Sequence, residues 1–97
     1  MGKISRQSVL EQALEIVTVD RNSQYGEPED NFQTIAELWS VYLTRRTMLS
    51  VELNASDVAV LMALMKIGRL TANKTHADSW TDGIGYLACG AEIACRE

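Results

Sequence analysis

A chain of 97 residues, 46% hydrophobic, has enough apolar material for one packed core and too much for a disordered polymer. Its net charge of −4 argues against duplex DNA or RNA as a main partner, because backbone binding needs a basic surface to displace counterions. The longest apolar run, residues 58–65, is too short for a membrane span, and the N-terminus lacks the apolar segment of a signal peptide. The expectation is one cytoplasmic domain over residues 1–97, without a membrane partner.

Val9, Leu10, Ala13, Leu14, Ile16 and Val17 recur at helical spacing and predict a first helix over about 5–20. A polar stretch follows, RNSQYGEPEDNF at residues 21–32, which is longer than a helix connection requires. Phe32, Ile35, Ala36, Trp39, Tyr42 and Leu43 define a second helix, about 28–45. Pro28 suits its first turn, Glu29 and Asp30 the positive end of its dipole, and Arg45 and Arg46 the negative end.

The third helix starts from a cap at Asn54 or Ser56 and reaches about Leu70; it is apolar nearly all round until Lys66, which predicts a central position. Thr75 and Asp78 have capping-box spacing at the head of a fourth helix that runs to the C-terminus. Cys89 and Cys95 lie about 9 Å apart along that helix, too far for a disulfide, and read as small buried thiols.

No segment alternates with a period of two, and the connections are short. The fold expected is all-α, an up-down four-helix bundle with Trp39, Leu61, Leu64 and Ile67 inside. Gly83, Gly85 and Gly90 with Ala88, Ala91 and Ala94 give the last helix a smooth surface, suited to close packing within the chain or between subunits. With Trp80 near the start of that helix, a homodimer is expected.

In such a bundle the first connection, the end of helix three and the start of helix four share one end. Tyr25, Glu27 and Asn31 would meet Lys66, Arg69 and Asn73 there, together with His76, Asp78, Asp82 and Tyr86. Two readings of this group stand side by side. Lys66 and Arg69 pair with Asp78 and Asp82 as a structural clasp, or the group binds a small anion or metal.

The motifs R-x3-YG-x-P-x2-NF (residues 21–32), K-x2-R (Lys66, Arg69) and H-x-D-x3-D-x2-GY (residues 76–86) resemble a small phage and prophage family of unknown function. Their layout is similar to that of the nucleotide-modification-associated domain family. The resemblance covers about residues 21–92 and implies a small helical phage protein acting on nucleotides. A looser likeness is to the all-α nucleoside triphosphate pyrophosphatases of the MazG type and the dimeric dUTPases, which bind Mg²⁺ through paired acidic motifs. That likeness implies Mg²⁺ on Asp78 and Asp82, helped by Glu27 or Glu29, with Lys66 and Arg69 balancing phosphate charge. Tyr25 would stack on the base and Asn31 hydrogen-bond it, with His76 and Tyr86 also lining the ligand. The second helix departs from the paired-acid pattern, offering only Glu29, Asp30 and Glu37. The alternative from another class is a non-enzymatic helical interaction module, in which the polar end is the clasp.

Overall fold

A computed structural model describes residues 4–20 and 27–97, so Tyr25 and Gly26 of the polar stretch lie outside the described residues. The first helix, α1 (Arg6–Glu15), opens on a reciprocal capping box built from two serines. Ser8 N–H donates to Ser5 Oγ at 3.0 Å and Ser5 N–H donates to Ser8 Oγ at 3.2 Å. The chain then widens into a π-helical turn, Ile16–Asp20, so the expected span 5–20 is helical in two forms.

Helix α2 (Pro28–Thr47) starts with Pro28 in its first turn and ends where Met48 turns left-handed, at φ 60°. The chain returns along the same helix. Val51 N–H donates to Thr44 Oγ1 at 3.0 Å and Leu53 N–H to Ser40 Oγ at 2.8 Å, replacing bonds that an extended segment would leave open. Asn54 caps α3 (Ala55–Ala72), with Asp57 completing the box. Helix α4 (Ala77–Ala94) has His76 at its N-cap position, with no side-chain capping bond, rather than the expected box of Thr75 and Asp78. The side chain of Asn73 accepts from both the N–H and the hydroxyl of Thr75, which takes that residue out of the cap.

The four helices and the absence of strands among the described residues bear out the all-α bundle. Helices α3 and α4 form the central hairpin, α2 packs on α3 and α1 on α4, within extents of 50 × 29 × 23 Å. Among the described residues no helix is long and apolar enough to cross a membrane.

Phe32, Ala36, Ala55, Val58, Ala59, Cys89 and Ile93 make the core, with Trp39 packed against it. Leu61, Leu64 and Ile67 are a correction: they stand 39%, 53% and 52% exposed. Helix α3 is apolar on both sides, and it is the arc through Val58, Ala59, Ala63 and Leu70 that its neighbours cover. Cys89 is buried as expected, whereas Cys95, at the C-cap of α4, is exposed. The glycines pack within the chain. A Cβ on Gly90 would lie 2.8 Å from that of Ala59, and one on Gly85 3.1 Å from Val17 Cγ1, so α3 and the π-helical turn both approach α4 where it lacks side chains.

Candidate functional site

Lys66 and Asp82 face each other across the α3–α4 hairpin, Nζ to Oδ2 3.0 Å, with side chains only 13% and 30% exposed. Taking an ammonium this far from water is unfavourable unless a counter-charge stands beside it, and Asp82 supplies one. Tyr86 follows one turn along α4, its ring 6.2 Å from that of Phe32 in the first turns of α2. Asn31, just before Phe32, is half-buried. The crevice between Asp82, Tyr86, Cys89 and Val17 encloses only about 10 Å³, the room of one water at most.

The remaining polar residues of the hairpin sit at its turn. His76 Nδ1 lies 2.7 Å from Ser79 Oγ, and Trp80 Nε1–H donates to Lys74 O at 2.8 Å. Arg69, Asn73 and Asp78 are exposed there. Among the described residues Arg69 and Asp78 make no ion pair, so one of the two pairings of the clasp forms and the other does not.

The grouping at one end needs correcting for helix α2. Phe32 and Ala36 seat against Ala55, Val58, Cys89 and Ile93, which are the start of α3 and the far half of α4. That packing places the first turn of α2 beside the chain's end, where Glu29 pairs with Arg96, and Arg96 also reaches Glu92 at 3.6 Å. At ~1.5 Å per residue this lies about 25 Å along α4 from Asp78. Glu27, exposed at the N-cap of α2, therefore does not join Asp78 and Asp82, and it lines a separate cavity of about 420 Å³ with Glu29, Glu92 and Arg96. Tyr25 lies outside the described residues. No three His, Cys, Asp or Glu side chains among the described residues are placed to hold a metal ion together. A cation on the expected ligands would rest on Asp78 and on Asp82, whose Oδ2 already meets Lys66.

Sequence reasoning missed the tie between Glu29 and Arg96, which joins residues 67 apart in the chain. The i, i+4 pair of Glu92 and Arg96 was the one local signal of it. Both partners are substantially exposed, so Arg96→Ala is expected to cost less than about 1 kcal/mol in urea unfolding, and less still in high salt.

The family model described as "Domain of unknown function (DUF6378)" matches residues 8–94, nearly all of the four helices. The chain belongs to this family. It is 43% identical over 87 residues to the Gene 55 protein of Mycobacterium phage D29, covering 90% of this chain and 54% of that protein. To the Gene 55 protein of Mycobacterium phage L5 it is 39% identical over 79 residues, covering 81% of this chain and 47% of that protein. The chain thus spans about half the length of the curated relatives it matches. No solved structure matches it. The expectation of a small phage-type protein is borne out at the level of the family.

Proposed function

We propose that this chain is a non-enzymatic helical interaction module of a phage protein, with the polar residues of α3 and α4 acting as a structural clasp. The closed Lys66–Asp82 pair carries the reading. Its charges satisfy each other, and the crevice beside Asp82, about 10 Å³, falls far below the ~300 Å³ of a small-molecule pocket. Cys95 is an exposed free thiol, in keeping with a reducing compartment, and we propose that the module works in the cytoplasm.

A second reading keeps the nucleotide. Arg69 and Asp78 are exposed and free of ion pairs among the described residues, near the half-buried pair. In this reading Mg²⁺ would draw Asp82 from Lys66 and join it to Asp78, leaving Lys66 and Arg69 to meet phosphate.

Thermal melts with Mg²⁺ and a panel of nucleoside di- and triphosphates separate the two. The clasp expects no shift from any addition, because a ligand stabilises only the protein that binds it. It also expects Lys66→Met and Asp82→Asn to couple by about 1–2 kcal/mol in a double-mutant cycle. A melt raised by Mg²⁺ with one nucleotide, and lost in Asp78→Asn, would overturn the clasp in favour of the nucleotide.

A further inference from the structure

Helix α3 is apolar around most of its circumference, yet one arc alone is covered. On the other arc Val60, Leu61, Leu64, Met65 and Ile67 are all exposed. Helix α4 carries a matching stripe. Trp80, Ile84, Leu87, Ala91 and Ala94 recur at i, i+4, i+7, i+11 and i+14, on the side away from buried Thr81, Gly85 and Cys89. An apolar groove of about 200 Å³, lined by Ala63, Ile67, Leu70, Trp80, Ile84 and Leu87, joins the two stripes into one face. None of these residues is charged, and Asp57 and Arg69 stand at the two ends of the α3 stripe.

This face lies opposite the contacts made by α1 and α2. Val17 of the π-helical turn after α1 meets Gly85, and Phe32 of α2 meets the Val58–Ala59 and Cys89–Ile93 side of the hairpin. What those helices cover is a core of small residues: among the described residues five of the ten buried hydrophobic ones are alanines, and Phe32 and Val58 are the largest apolar side chains fully enclosed. Much of the large apolar surface therefore stays outside a single copy. A domain of this size has little stability to spare for that.

We infer that this face is the contact between two copies of the chain, hairpin against hairpin about a two-fold axis, with four helices in its central layer. The inference rests on the interaction reading above and names the partner. The exposed parts of Val60, Leu61, Leu64, Met65, Ile67, Trp80 and Leu87 amount to roughly 600 Å² per copy, at the top of what a monomer leaves bare and close to the ~800 Å² per partner of a standard interface. An antiparallel hairpin with a stripe on each helix is self-complementary, since a two-fold rotation lays the same apolar rows on one another with matching period. Because the face is uncharged, two acidic chains meet there without burying a charge. Gly85 and Gly90, suited by sequence to close packing within the chain or between subunits, are used up inside the chain, and the large side chains on the other side of α4 form the interface.

Sedimentation equilibrium of the whole chain across the micromolar range tests this. The expected mass is twice the 10.8 kDa of one chain. Ile67→Glu with Leu87→Glu should leave a monomer at every concentration, while Leu38→Glu, on the outward side of α2, should leave the dimer intact. Should the glutamates unfold the chain, Trp80 emission in a Trp39→Phe background reads the same face without altering it, and a shift to shorter wavelength with rising concentration is expected. A mass of 10.8 kDa at the highest concentration, a dimer that survives both glutamates, a dimer lost with Leu38→Glu alone, or Trp80 emission independent of concentration would each overturn the inference. So would a monomer that uses this face for a different phage protein. The functional reading fails separately. A dimer whose melt responds to Mg²⁺ and nucleotide keeps this interface and overturns the clasp, whereas a monomer with no such response does the reverse.

Discussion

Phe32→Ala is expected to remove about 3–5 kcal/mol of stability, a large part of the roughly 5–15 kcal/mol that holds a typical domain together. Phe32 is fully enclosed at the junction of α2, α3 and α4, the largest fully buried side chain among the described residues. Its neighbours Ala36, Ala55 and Ala59 are short and fixed in helices, so they have no side chain to swing into the space. The cavity then persists, and its cost adds to the lost transfer energy. Urea unfolding followed by circular dichroism measures the loss. Phe32→Leu, which keeps most of the volume, should lose about 1–1.5 kcal/mol. A loss below 1 kcal/mol for Phe32→Ala would mean that α2 does not hold the hairpin through this ring.

Gly90→Leu is expected to cost about 3 kcal/mol, the upper end of overpacking in a filled interior. The reason is one contact. Even a methyl at Gly90 would sit 2.8 Å from the Cβ of Ala59, closer than two such carbons approach, and both positions lie on rigid helix backbone. For Gly90→Ala two effects oppose each other. Helix propensity favours alanine by about 1 kcal/mol, and overpacking costs about 1–3 kcal/mol. The clash is the larger, so a net loss of about 1 kcal/mol is expected. Moving the methyl across the interface distinguishes this account from a general weakness of α4. Ala59→Gly combined with Gly90→Ala restores the space and leaves the summed propensity unchanged, so the double variant should unfold within about 0.5 kcal/mol of the original protein. If the double variant is as unstable as Gly90→Ala alone, the close approach is not what requires glycine.

The helix ends were legible in the sequence because capping is local. Asn54 caps α3 through Asp57, three residues on, and Pro28 opens α2 because its missing N–H costs nothing in a first turn. The failure at α4 was local too: Asn73 engages Thr75 and leaves His76 in the N-cap position without a side-chain capping bond, a competition between neighbouring polar groups that spacing does not rank. At the candidate site, Lys66 facing Asp82 was one of the two readings the sequence offered. That Arg69 does not pair with Asp78, and that Glu27 stands far from both acids, was not visible.

The sequence by itself therefore determined the helices, their order and the polar groups that the α3–α4 hairpin carries, since each follows from a period or from contacts within four residues. The tertiary structure alone decided which arc of α3 is covered. A helix that is apolar all round has no preferred face by periodicity, and Leu61, Leu64 and Ile67 were as eligible as Val58 and Ala59 until Gly90 let α4 approach on one side. It also decided where α2 begins in space. Phe32 is buried against the cluster that holds Cys89 and Ile93, and that packing sets Glu27 and Glu29 at the far end of α4, beside Arg96 and away from Asp78.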